Sequence, residues 1–469
     1  MTGRVAGADL RAAVAVSAAA AVIAVLPPIP RLIAAGMVLG IPLLAWMAGS
    51  PTAWVGTFVA AVLVLPPLPL SMGTSGAHPA VAIAGIGLLA GIGRSNSWIL
   101  RREPIGSCLA ALTMAMLASV AMALIYSGVE VALGSAVRVM LFACTPWLFL
   151  YVSRGPGRVV AERRFTYARL LFACGAASAL FACVDFFFQF PAPAGYSPQF
   201  IWMDDRVLRR AQGLFYDAGA LGNICSFFLV MAAVCIVVRG RAAINGWLAA
   251  AGALPLAAAL VLSYSRAALL NLAAALVALL IVRRRDLKCV QLTLVLPAAV
   301  AAIAGIGFAA APAYAHSWAM RLDRTVQLAF AATDMALSGR LSTWDTISSF
   351  IVQHPLRVLF GVGYKTLAWS DVLGRPVIAD NTWISVLVET GIAGVVALAV
   401  LNGAILRATF RAARSGNPST AFYGTWAFCF WIGEMVQMFT ADLLTWWRVL
   451  PVIFFVIALA VAGVREETA

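Results

Sequence analysis

The chain has 469 residues, of which 63% are hydrophobic and 11% charged, and its mean hydropathy is +0.94. A soluble domain runs at about 45–50% apolar and about 25% charged. This composition therefore excludes a soluble globular enzyme, a disordered chain and a disulfide scaffold, and it points to a polytopic membrane protein. The net charge of +14 raises nucleic acid as a partner, so the placement of the charge has to decide.

A bilayer core needs about 20 apolar residues per helix. Candidate spans follow in order: Ala12–Pro27, Leu32–Ala48, Thr52–Leu65, Pro79–Gly93, Ile105–Tyr126, Ala132–Val152, Arg169–Phe190, Ala218–Val238, Gly246–Ser263, Ala267–Val282, Val290–Ala310, Thr382–Leu406, Ala421–Ala441 and Val449–Gly463. Several are short, and two short spans can form one re-entrant hairpin, so the expectation is 12–14 spans in an all-α, polytopic transmembrane fold. Four regions follow: membrane helices over 1–190, helices with a first outer loop over 191–310, a large outer loop over 311–381, and membrane helices over 382–469.

With the N-terminus in the cytoplasm and the spans alternating, most arginines fall on the inner side and most carboxylates on the outer side. The whole excess of positive charge then sits where the positive-inside rule places it. Orientation explains the charge, and no nucleic acid is expected. The cysteines lie in or beside apolar spans without zinc-site spacing, so packing is their expected role.

The polar chemistry is on the outer side. Loops run from Pro191 to Asp217 and from Pro312 to Asn381. Within the second, Leu341, Trp344, Ile347, Ser348 and Ile351 recur at helical spacing, predicting an amphipathic helix from near Gly339 to His354-Pro355. Arg138, Asp185, Arg266, Glu389, Glu434, Asp442 and Arg448 lie in or at the ends of spans, in the outer half or near the middle. A charge near the bilayer centre costs about 2.5–3.5 kcal/mol, so it faces a partner or a wet cavity; one polar cavity opening outward is the expectation. Arg210, Arg266, Arg340 and Lys365 supply basic groups there, whereas Arg206 and Arg209, near Asp204 and Asp205, are expected to meet lipid headgroups or Asp partners. Arginine forks hold phosphate oxygens bidentately and do not deprotonate, which suits a lipid diphosphate.

Five blocks in order carry a resemblance: Arg210-Ala211-Gln212-Gly213-Leu214-Phe215; Ser263-Tyr264-Ser265-Arg266-Ala267; Gly339-Arg340-Leu341 with Trp344; His354-Pro355-Leu356 with Gly361-Val362-Gly363; and Asp380-Asn381 followed by Glu389-Thr390-Gly391 and Gly394. Together they resemble the bacterial O-antigen ligase and polymerase superfamily, over roughly Arg206 to Ala408. The resemblance implies a membrane glycosyltransferase of the lipid-phosphosugar (GT-C-like) type in the bacterial inner membrane, with a large helical periplasmic loop. Such an enzyme takes glycan from an undecaprenyl-diphosphate-linked donor at the periplasmic face. It passes the glycan to a growing polymer, lipid A-core or protein, with no cofactor and no metal expected. Arg210, Arg266 and Arg340 would bind the diphosphate, with Asn381, Glu389 and His354 as further substrate contacts.

The family usually has His-Asn where this chain has Asp380-Asn381, and that histidine is held to activate the acceptor hydroxyl. Asp380 is expected to take its place, with Arg266 as the second catalytic group; a helix cap is the structural alternative for Asp380. Gly361-Val362-Gly363-Tyr364-Lys365-Thr366 lacks the spacing of a phosphate loop. A transporter or flippase for a lipid-linked sugar is the alternative function, but no internal repeat accompanies it.

Overall fold

The computed structural model describes residues 42–68, 71–72, 75–99, 103–158, 164–193, 195–202, 207–238, 243–244, 246–284, 316–320, 323, 327 and 340–468. The first expected span, residues 32–41 of the second, the span Val290–Ala310, and the residues Arg206, Cys289 and Gly339 lie outside them.

The described chain is almost entirely helical. The helices are α1 (Pro42–Gly49), α2 (Pro51–Val64), α3 (Pro79–Gly93), α4 (Pro104–Ser153), α5 (Arg164–Phe188), α6 (Ala218–Val237), α7 (Gly246–Leu262), α8 (Arg266–Val282), α9 (Arg340–Gln353), α10 (Pro355–Phe360), α11 (Thr382–Ala413), α12 (Pro418–Gln437) and α13 (Val449–Thr468). Many begin at a polar cap followed by proline. Ser50, His78, Glu103 and Asn417 each accept from a backbone N–H of the first turn, and proline follows directly. Proline has no N–H to leave unsatisfied at that position, and its φ suits a helix start.

Among the described residues, α4, α5, α6 and α11 are long and apolar enough to cross a membrane singly. α1 and α2 meet at a bend of 115°, as in a broken span or a re-entrant pair. The fold is that of an all-α, multi-pass membrane protein. The two spans expected over Ile105–Tyr126 and Ala132–Val152 return as one element, α4, broken at Gly128 (φ +85°). α11 runs further than expected and is broken at Gly391 (φ +74°). A Cβ at Gly391 would overlap the carbonyl of Leu359, so α10 can close on the break only because this residue is glycine.

α13 occupies the centre. Its apolar side chains from Val449 to Ala462 are 8% exposed or less, and it packs against α4, α12, α11, α2 and α6. A helix apolar on all sides is stable inside a bundle. α4 instead turns Leu117, Ile125, Val129, Val137 and Met140 outward, as a lipid-facing surface does. The described cysteines are free thiols, buried or half-buried, as expected for packing.

Arginines close several helix ends. Arg94 Nη2 donates to the carbonyls of Ala48 (2.7 Å) and Gly49 (2.6 Å) at the end of α1. Arg283 Nη2 donates to Ala413 O at the end of α11 (2.7 Å). Arg448 donates to Val62 O and Leu65 O at the end of α2, and to Leu214 O. The last carbonyls of a helix have no partner inside it, and a guanidinium both satisfies them and complements the helix dipole.

Candidate functional site

Three separate segments deliver the arginines. The first is a short antiparallel hairpin absent from the sequence expectation, β3 (Phe200–Trp202) paired with β4 (Val207–Arg209); another such pair, β1 (Ser71–Met72) with β2 (Ser75–Gly76), precedes it in the chain. Arg209 pins the hairpin to α5 through Asp185 (3.3 Å). Arg210 extends the ladder, donating its N–H to Gln199 O (2.9 Å), and its Nε donates to Ser263 O (2.8 Å). Gln212 braces the turn that follows: Oε1 accepts from Gln199 N, and Nε2 donates to Ser197 O and Tyr216 O.

The second segment is the start of α8. Ser265 caps it by accepting from Ala268 N (3.3 Å), which puts Arg266 at the first helical position. The third is α9, where Arg340 opens the helix as the sequence predicts. Arg210 lies within electrostatic reach of Arg266, Arg340, Asp217 and Asp380, and Arg266 within reach of Arg340. The three arginines therefore lie within electrostatic reach of one another.

Asp380 faces them. Arg340 donates to its Oδ2 from Nε (3.3 Å) and Nη2 (3.2 Å), and 46% of the Asp380 side chain remains exposed. Trp344 Nε1 donates to Ala379 O (2.8 Å), tying α9 to the residue before it. Asp380 is not the helix cap. Asn381 holds that place: Oδ1 accepts from Trp383 N (3.0 Å) and Ile384 N (3.1 Å), and Nδ2 donates to Phe439 O (3.2 Å). Asp380 stands one residue outside the helix with φ +47°. Tyr216, Tyr264 and Lys365 share this left-handed conformation. Such backbone is costly for residues other than glycine and persists where surrounding contacts enforce it, typically at functional sites.

Partial withdrawal from water raises the Asp380 carboxyl above its ordinary range. Arg340 opposes the rise, and Asp442 and Asp217 add to it. Burial lowers the Arg210 guanidinium from its usual range, partly offset by Asp217 and Asp380.

The remaining expected residues lie elsewhere. Glu389, at the break of α11, faces Lys365 Nζ at 3.9 Å. Lys365 also forms an ion pair with Asp442, and Arg138 donates to Lys365 O (3.2 Å). His354 sits at the α9–α10 junction as the residue before α10, with its ring against Phe350 (5.1 Å) and no side-chain cap hydrogen bond to α10. The single outward cavity expected for seven ionisable residues divides for a physical reason: each charge found the nearest partner that offsets its burial. Asp185 pairs with Arg209, and Arg448 closes backbone carbonyls. Glu434 accepts from Asn223 (2.6 Å) and Asn271 (2.7 Å) between α6, α8 and α12. Only Arg266, and Asp442 through its reach to Asp380, stay with the arginine site.

No curated protein sequence matches the chain. Residues 250–399, which include Arg266, Arg340, Lys365, Asp380 and Glu389, match the family model described as O-antigen ligase. Arg210 and Asp442 fall outside that match. Through this segment, about a third of its length, the chain is similar to the O-antigen ligase family.

Proposed function

We propose that the protein is a glycosyltransferase that takes glycan from an undecaprenyl-diphosphate-linked donor. It delivers the glycan to an acceptor hydroxyl on a glycan, lipid A-core or protein at the periplasmic face of the inner membrane. The observation that carries this reading is the convergence of Arg210, Arg266 and Arg340 beside Asp380. Three like charges gathered from separate segments, with Asp380 and Asp217 beside them, form a positive cluster that a further anion stabilises. A diphosphate supplies such an anion, and arginine forks match its oxygens.

In the reaction the acceptor oxygen bonds to the anomeric carbon as the bond from that carbon to the diphosphate breaks. The hydroxyl proton passes to Asp380, a carboxylate already turned toward the arginines. Charge grows on the departing diphosphate, so the arginine contacts strengthen at the transition state, where they accelerate transfer. The family match supports glycosyl transfer as the class of activity. The expectation of no metal stands as part of the proposal.

The test is reconstitution of the purified protein in vesicles with a lipid-linked glycan donor, following release of polyprenyl diphosphate with and without acceptor. Acceptor-dependent release supports transfer. Movement of intact lipid-linked glycan between leaflets without release would establish the flippase instead.

A further inference from the structure

A row of ionic groups runs inward from the site. Arg340 pairs with Asp380; Asp380 lies within electrostatic reach of Asp442; Asp442 pairs with Lys365; and Lys365 faces Glu389 at 3.9 Å, with Arg138 in reach of Glu389. The charges alternate along this row except at one step, where Asp380 and Asp442 are neighbours of like sign. The step is built in. Thr382 Oγ1 donates to Ala441 O (2.8 Å) and accepts from Leu443 N (3.1 Å), bracketing Asp442. Thr382 N donates to Met438 O (2.8 Å) and Asn381 Nδ2 to Phe439 O (3.2 Å). The segment carrying Asp442 is thus fastened to the two residues that follow Asp380.

Lys365 is correspondingly fixed. Its side chain is 9% exposed, its backbone is left-handed at φ +55°, and its carbonyl accepts from Arg138. A lysine held this firmly cannot follow a mobile substrate; its ammonium is committed to the two carboxylates.

We propose that Asp442 and Lys365 are a positioning pair for Asp380: Asp442 sets a second carboxylate beside it, and Lys365 limits how much of that charge Asp380 feels. This inference rests on Asp380 acting as the acceptor base. Arg340 alone would make the carboxylate a poor proton acceptor by favouring its charged form. Burial is the largest influence in the opposite sense, and a neighbouring carboxylate adds to it and adjusts the basicity that remains. The other charged groups facing Asp380 are Arg210 and Asp217, and both stay unchanged in the variants below.

The experiment is the pH–rate profile of reconstituted protein carrying Lys365→Met, Lys365→Arg or Asp442→Asn, with Asp380→Asn as reference. Removing the ammonium uncovers Asp442, so the acidic limb in Lys365→Met moves to higher pH by about half a unit or more. Removing the carboxylate moves it to lower pH by a similar amount in Asp442→Asn, and Lys365→Arg keeps it near the wild-type position. If Lys365→Met fails to accumulate, the sign in Asp442→Asn alone decides. Uniform loss of turnover in Asp442→Asn with the limb unmoved overturns the pair while leaving Asp380 as base. An acidic limb that persists in Asp380→Asn belongs to another group, and it overturns both the base and the pair.

Discussion

Arg340 holds Asp380 by one oxygen: Nε and Nη2 both donate to Oδ2, at 3.3 and 3.2 Å. Neither bond engages Oδ1, so the carboxylate is oriented without being enclosed, and 46% of it stays exposed. That suits a group that must meet a second molecule. Because Asn381 and not Asp380 caps α11, Asp380→Asn leaves the cap in place. The expected result is a loss of turnover of about 10²–10⁴-fold with an unchanged melting temperature. Asp380→His should retain measurable transfer, since imidazole also accepts a proton. Normal turnover in Asp380→Asn would remove Asp380 from the chemistry.

Each of Arg210→Ala, Arg266→Ala and Arg340→Ala should lower turnover by about 10²-fold or more. The corresponding lysine variants should recover only part of it, because lysine offers a point charge where arginine offers two parallel bonds. Initial rates at matched membrane levels check this. Three alanine variants with normal turnover would place the donor elsewhere.

The raised proton affinity of Asp380 has a signed consequence. A base works only when deprotonated, so turnover should climb with pH through an acidic limb lying above about 3.9, the ordinary aspartate value. The same limb should be missing from Asp380→Asn. A wild-type limb at or below the ordinary value would contradict the burial of this group.

Asn381→Ala removes the acceptor for Trp383 N and Ile384 N and should cost about 0.5–2 kcal/mol. Asn381→Asp keeps the cap and should retain most of that stability. Thermal melting in detergent separates the two. Equal melting temperatures for Asn381→Ala and wild type would show that α11 does not depend on this cap.

The orientation has its own test. A single cysteine replacing the exposed Asp371, in a background without native cysteines, should react with a membrane-impermeant reagent from the periplasm. Reaction only after the inner membrane is permeabilised would invert the layout.

The helices were legible because burial in lipid or in a bundle leaves long apolar runs. Pro79–Gly93 returned with the bounds read from sequence, and Arg340–Gln353 from its periodicity. The arginine cluster was legible as residue types in ordered blocks. The β3–β4 hairpin was not, since three-residue strands are too short to show alternation. The cap at Asn381 was hidden because Asp380 and Asn381 are both good capping residues, and only backbone geometry tells them apart. The nearness of Asp442 to Asp380 was invisible because it depends on Thr382 meeting Leu443, 61 residues along the chain. Lys365 carried one usable signal: it is one of only two lysines in an arginine-rich chain.

Tyr364 joins the two halves of α4 across its break. Its N–H donates to Ser119 Oγ (3.0 Å), before Gly128, and its carbonyl accepts from Ser135 Oγ (2.7 Å), after it. These partners are separated by 245 and 229 residues. During synthesis α4 therefore leaves the ribosome long before the residue that splints it. The two hydrogen bonds that tie its halves together across Gly128 can form only once the Tyr364 loop has been made. A nascent chain halted before Gly361 should expose the hinge to protease, and one released beyond α13 should protect it.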